Sequence, residues 1–503
     1  MTAIEASLGW GFDKRLPADF LELPHLVARL RAVRVRVRAR FVALVEVRED
    51  VLVPAHDVAV VHEDGKLGAA QLVAHPLALG RVGRNLTRDE VEAELRQPLP
   101  HAMRVRAPLC LVEIHARAVP VTAAAEPPKA DAGEATRLAG VETIAFTRGV
   151  PAPDCLPVAE IADSARAAVE RDGTTVLNYG PVAGYGPLRE WVAERHGVTP
   201  AQVFVTNGSL QGLSLIAALL VDPGSQVLVE GPTYDRALHI VARHDGEPVP
   251  LAMDEEGLDP DELRLPAAFL YTIPTFQNPS GRTLSLERRH RVAELAVEGK
   301  LVVVEDDPYS LVRYEGEPLP SIFELAGGEG VVYSFSFSKI AAPGLRVGYL
   351  VGPKELIARL EALAVQTYLT PALLSQATVF EFVSRALLEP NVERVVGLLR
   401  ERRDAMRDAL AREMPEDANW SRPEGGYFTW LDFPPGTQAA DILARGEEHG
   451  VTFVAGRDFF PPGRGGESSA RLAFSYVSST EISTGVSRLA ALLREPRSSP
   501  VAV

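Results

Sequence analysis

From about residue 186 to 370 the chain alternates short apolar runs with helical stripes, and that alternation leaves few folds open. Val203 to Thr206, Gln226 to Val229, Ala267 to Ile273 and Leu301 to Val304 have strand length but lack the every-second-residue polarity of a half-solvated sheet. Such runs suit strands buried on both faces, as in a parallel sheet. Between them lie stripes at helical spacing, for example Leu286, Val292, Ala293, Leu295 and Ala296. The pattern predicts an α/β domain built on a doubly wound, mostly parallel sheet. In such sheets ligands bind beyond the carboxyl ends of the strands, so the residues that follow each run carry the most information.

After Leu301 to Val304 comes Glu305-Asp306-Asp307-Pro308-Tyr309, where a carboxylate can pair with a protonated pyridine nitrogen. Only one carboxylate at a strand end can do so, which leaves Asp307 a structural role. After Ala267 to Ile273 comes Asn278, whose amide can donate to a phenolate oxygen, as can the Tyr309 hydroxyl. Val203 to Thr206 leads into Asn207-Gly208-Ser209 and a helix through Ile216 and Leu220, and free amides at a helix start form a phosphate site. Gln226 to Val229 leads to Tyr234, whose ring could stack on a pyridine. Ser336-Phe337-Ser338-Lys339, with Arg346 seven residues on, sets a lysine beside hydroxyls and a guanidinium. A lysine amine is protonated at neutral pH and is activated by Schiff-base formation with an aldehyde. The set as a whole describes a pyridoxal phosphate site.

These residues, in this order, resemble the class I/II aminotransferases of fold type I, most closely the 2-aminoadipate aminotransferase-like group whose domain also occurs in MocR-type regulators. The resemblance covers roughly residues 140 to 495 and implies a large cofactor domain with a small α+β domain. It implies that Lys339 is the Schiff-base lysine, that Asp306 holds the pyridine nitrogen, that Asn278 and Tyr309 hold the phenolate oxygen, and that Tyr234 stacks on the ring. Ser209, the backbone of Gly208 and Leu210, Ser336, Ser338 and Arg346 become the phosphate cradle, completed across a homodimer interface by Tyr179. Arg471 matches the arginine that clamps a substrate α-carboxylate, and Gly149 a glycine whose backbone lies over that carboxylate. Two positions depart from the family. Leu210 stands where a glutamine is usual, and Arg148 where a small residue or glycine is common, adding a cation at the substrate mouth.

The 503 residues are too many for one core. The sequence predicts an accessory domain at 1–118, a Pro/Ala-rich linker at 119–140, a small domain from 141–178 and 386–495, a large cofactor domain at 179–385 and a disordered tail at 496–503. Residues 1–118 look like a strand-rich α+β unit with 17 Lys and Arg against 15 Asp and Glu, only +2, and show no basic helix-turn-helix. Arg34, Arg36, Arg38 and Arg40 alternate with apolar residues, forming either a solvated sheet face or an anion site. The formal charge of −15 argues against nucleic acid as a partner, and no apolar run is long enough to span a membrane. Two cysteines, Cys110 and Cys155, without metal spacing, suit the cytoplasm, and no metal site is expected.

The resemblance implies transamination between an amino acid and a 2-keto acid. The same groups also serve elimination, substitution or carbon-carbon bond formation, and the added domain, the arginine row and Arg148 would suit an S-adenosylmethionine-like substrate with an anionic, nucleotide-type second substrate. A cofactor-binding sensor is a third reading.

Overall fold

The computed structural model divides the chain into two units, Met1–Ala132 and Gly133–Val503. It describes residues 143–495 and, ahead of them, three short strands. Those are β1 (Val60–Val61), β2 (Lys66–Gly68) and β3 (Leu86–Thr87), paired antiparallel in one small sheet. The arginine row, the linker and the tail lie outside the described residues.

The second unit begins with β4 (Ile144–Ala145) and then lays down the large sheet. Its strands are β5 (Val203–Thr206), β6 (Gln226–Gly231), β7 (Glu247–Asp254), β8 (Gly257–Leu258), β9 (Phe269–Thr272), β10 (Val303–Asp307), β11 (Val331–Ser336) and β12 (Gly348–Val351). Their order is β5-β12-β11-β10-β9-β6-β7-β8. The neighbours β11, β10, β9, β6 and β7 pair in parallel. β12 runs antiparallel to both β11 and β5, so β5 points the same way as the parallel set. The carboxyl ends of six strands and the start of β12 therefore meet along one edge.

Every residue of β5, β9, β10, β11 and β12 is buried, as the unbroken apolar runs predict. β10 extends through Asp306 and Asp307, so those carboxylates belong to the strand rather than to the loop after it. Alternation sends Glu305 and Asp307 to one face and Asp306 to the other. Glu305 accepts hydrogen bonds from the amides of Ile322 (3.0 Å) and Phe323 (2.8 Å) at the start of a short helix.

The chain then forms three helices, Lys354–Tyr368, Leu373–Ser384 and Leu388–Glu413, and a second, antiparallel sheet. That sheet has the order β13 (Asn419–Trp420), β14 (Phe428–Asp432), β17 (Ser469–Ala473), β16 (Val454–Ala455). β15 (Val451–Thr452) pairs with β4 instead, which ties residues 144–149 to the carboxyl-terminal part of the chain. Among the described residues no helix is long and apolar enough to cross a membrane.

Candidate functional site

β11 delivers the lysine. Its last residue, Ser336, accepts a hydrogen bond from the Ser338 amide (3.2 Å) and starts a 3-10 turn over Phe337–Lys339 that turns Lys339 across the sheet edge. The Lys339 amine donates to the Gly149 carbonyl at 2.7 Å and lies 5.3 Å and 5.8 Å from the ring centres of Tyr427 and Tyr309. The Tyr427 hydroxyl donates to the Lys339 carbonyl (2.7 Å), so backbone and amine are both fixed. Burial, with Arg471 and Arg346 nearby, pushes the amine's pKa down to about 8 against the opposing pull of Asp306. A larger fraction of it is thus a neutral nucleophile near physiological pH than of a surface lysine.

Asp306 forms the floor. Its carboxylate accepts from the Tyr271 hydroxyl (2.8 Å) and the Ser334 hydroxyl (3.2 Å), which belong to the strands on either side. Burial pushes its pKa up to about 6, and those two donors limit the rise. Asp307 serves the other face, accepting from the Tyr333 hydroxyl (2.6 Å) and the Ser310 amide (2.9 Å), in agreement with the structural role read from the sequence.

An anion cradle lies beside the lysine turn. Gly208 has φ of 84° and ψ of 158° and precedes the helix Ser209–Leu220, whose first amides face the start of β12. A Cβ on Gly208 would lie 2.4 Å from Arg346 Nη2, and one on Gly348 would lie 2.9 Å from the Ser209 nitrogen. Only glycine leaves that space open. Arg346 reaches Ser338 Oγ (3.4 Å) and the carbonyls of Pro343 (3.2 Å) and Asn207 (3.3 Å), with no carboxylate partner among the described residues. Leu210 is partly exposed, while Gln211 one position later accepts from the Asn207 amide (2.7 Å).

Arg471, on β17, closes the opposite side. Its guanidinium is sandwiched between Phe428 and Phe459, 4.4 Å and 4.9 Å from their ring centres. Nη1 donates to Asn278 Oδ1 (3.1 Å) and Nη2 to the Thr147 carbonyl (3.0 Å), but the buried Nε has no acceptor. Binding its carbonyl oxygen to Arg471 leaves the Asn278 amide nitrogen free to donate elsewhere. Tyr309 is buried against Tyr427 and Phe428. Tyr234 is partly buried at the start of the helix Asp235–Arg243, its hydroxyl pushed up to about 12 mainly by burial and next by Asp235 and Asp306.

The structure thus brings Lys339, Asp306, Asn278, Tyr309, Tyr234, Arg471, Gly149 and the cradle to one edge. Tyr179 stands apart, 77% exposed. Tyr185, which the sequence left as lining or packing, packs: its hydroxyl donates to Asp172 (3.0 Å) and accepts from Arg171 (2.7 Å) at a kink in the helix Val158–Val176. Sequence reasoning missed Tyr271, Ser334, Tyr427, Phe428 and Phe459. The register Asp306↔Ser334 would have exposed one of them had the strand order been known. The aromatic residues carry no local signal.

A family model described as aminotransferase class I and II matches residues 149–489. The 2-aminoadipate transaminase of Thermus thermophilus is 39% identical over 359 residues, spanning 70% of this chain and 90% of that protein. The aromatic-amino-acid aminotransferase 1 of Thermococcus litoralis is 34% identical over 370 residues, or 70% of this chain and 88% of that one. Among solved structures, LysN, the alpha-aminoadipate aminotransferase of Thermus thermophilus, complexed with N-(5'-phosphopyridoxyl)-L-leucine, aligns with a TM-score of 0.67. It is 38% identical, and the alignment covers 70% of this chain and 92% of that one.

Proposed function

The chain belongs to the class I and II aminotransferases, and from that we propose that it transfers an amino group between an amino acid and a 2-keto acid, using pyridoxal phosphate held at Lys339. The observation that carries this reading is the convergence of Lys339, Asp306 and Arg471 with a glycine-lined, carboxylate-free anion cradle. The residues fit the cofactor. The space at Gly208 and Arg346, which has no carboxylate partner among the described residues, suit a phosphate, and the buried Asp306 carboxylate suits a ring cation.

When bound, the cofactor supplies an aldehyde that condenses with amines and a protonated ring that draws electrons from the substrate's α-carbon. Lys339 would hold the aldehyde, and its amine, when not so engaged, would serve as the base that takes the proton from the substrate's α-carbon, which its lowered pKa favours. Asp306, as a carboxylate, keeps the ring nitrogen protonated. The Asn278 amide and the Tyr309 hydroxyl donate to the phenolate oxygen. Arg471, gripped between two rings and with Nε unsatisfied, receives the α-carboxylate as a fork. Ser209, Ser336, Ser338, Arg346 and the amides of Gly208 and Leu210 hold the phosphate. A second copy of the chain adds Tyr179 to that cradle, making the working form a homodimer, and the cysteine usage supports a cytoplasmic location.

The relatives named for 2-aminoadipate and for aromatic amino acids point to an amino acid with an extended side chain. The test is the half-reaction. One equivalent of amino acid should convert the bound cofactor to its aminated form and release a keto acid. Lys339→Ala should lose both this and the borohydride-trapped adduct. Elimination products without aminated cofactor would overturn transamination, and an adduct on another lysine would overturn the assignment of Lys339.

A further inference from the structure

Resting on that reading, we propose that Arg148 is a specificity-determining residue that selects amino acids carrying a second anionic group at the end of the side chain. Residues 147 to 149 form a strap across the site. Thr147 offers its carbonyl to Arg471 (3.0 Å) and Gly149 offers its carbonyl to the Lys339 amine (2.7 Å), so Arg148 sits between the two groups that grip a substrate. The strap is held from behind. Ser475 Oγ lies 2.9 Å from the Val150 carbonyl and 3.4 Å from that of Arg148, and a Cβ on Gly149 would lie 2.5 Å from Phe428. Ser475 is itself buried, and its carbonyl accepts from Arg402 (2.8 Å). The root of the Arg148 side chain therefore has little room to shift.

The Arg148 side chain is exposed, with its guanidinium 4.9 Å from the centre of the Tyr476 ring. That contact is with a ring face and takes up none of the group's N–H donors. No carboxylate or hydrogen-bond acceptor among the described residues meets those donors, whereas Arg346 and Arg471 each have polar partners. A guanidinium backed by an aromatic ring with its donors unused is suited to bidentate recognition of a carboxylate or phosphate. An amino acid that places its carboxylate at Arg471 and its amine at Lys339 sets its α-carbon in front of the strap, and only its side chain remains to reach outward. A distal anion on that side chain gains a partner at Arg148. A neutral one gains none.

The holoenzyme is compared with Arg148→Gln, Arg148→Gly and Arg148→Lys in two measurements. The first is the half-reaction with 2-aminoadipate and with norleucine, which has the same chain length without the distal carboxylate. The second is binding of adipate against hexanoate, read from the cofactor's absorbance, which needs no turnover. In Arg148→Gln and Arg148→Gly the ratio of kcat/KM for 2-aminoadipate to that for norleucine should fall roughly 10- to 100-fold, the range for a lost hydrogen bond to a charged group, with most of the change in KM. Preference for adipate should fall in parallel, and Arg148→Lys should keep part of both. A wild-type protein without preference for adipate, or variants in which both ratios stay unchanged, would overturn the proposal. A protein that prefers adipate through Arg148 yet aminates no cofactor would keep the proposal and overturn transamination.

Discussion

The role proposed for Asp306, holding a ring cation, requires a charge, yet the fold buries the residue, and the two demands conflict. Burial pushes its pKa up to about 6 despite the Tyr271 and Ser334 hydroxyls. A buried carboxylate with a raised pKa binds its proton more tightly in the folded chain than in the unfolded one. Between about pH 4 and 6 its contribution therefore makes the cofactor-free protein less stable as pH rises. Asp306→Asn keeps the shape and one acceptor but removes the charge. The cofactor-free variant should melt above the wild type at pH 8, with the gap closing toward pH 4, while its cofactor affinity at neutral pH drops. Calorimetry with and without cofactor checks both signs, and a variant that melts below the wild type at pH 8 would refute the account. Arg471 tests geometry rather than charge. Arg471→Lys retains a cation but loses the fork and its fit between Phe428 and Phe459, so kcat/KM should fall by about 2–5 kcal/mol in transition-state terms, as for a broken buried charge pair. The cofactor spectrum should stay intact, and unchanged kcat/KM would remove Arg471 from the clamp.

At the scale of elements, the cradle depends on a backbone that only glycine adopts. Gly208 occupies a region of positive φ with extended ψ, and any side chain there would also meet Arg346 Nη2. Gly208→Ala should cost about 1–3 kcal/mol of stability from the backbone alone. It should also weaken binding of inorganic phosphate to the cofactor-free protein, seen by denaturation with and without phosphate. The gathering of these residues at one edge was legible in the sequence because each lies at or just beyond a strand end, and a parallel sheet brings strand ends together whatever the order of the strands. The strap and the rings were not legible in that way. Gly149 meets Lys339 from 190 positions away, and Thr147 meets Arg471 from 324. Tyr427 and Phe428 become part of the site only once the second sheet is folded back, and nothing in their local sequence says so. From sequence, Asp307 is set aside on the ground that one strand end offers one carboxylate to a ring, whereas in the fold it is alternation along β10 that turns it to the face opposite Asp306.

At the scale of the whole molecule, one surface among the described residues is not self-sufficient. Leu177 and Tyr179 are 67% and 77% exposed, and the loop holding Leu369, itself 57% exposed, is fastened to them by the Gly180 amide bonded to Thr370 Oγ1 at 3.1 Å. Leu369 also adopts φ of 64°, unusual for a leucine, so the fold presents this apolar group at some conformational cost. A soluble chain does not normally hold such residues together in water without something to cover them. The second copy proposed above would cover them and would also give Tyr179 a task, since its hydroxyl meets no hydrogen-bond partner among the described residues of its own protomer. The protein should sediment as a dimer at micromolar concentration, and its melting temperature should rise with protein concentration. Tyr179→Asp puts a charge into the covered face and removes the phosphate partner together. It should shift the protein toward monomer and weaken cofactor retention, whereas Tyr179→Phe should leave the dimer intact and weaken retention alone, by roughly 0.5–3 kcal/mol. A monomeric wild type with full activity, or equal cofactor retention in all three proteins, would place Tyr179 outside the site.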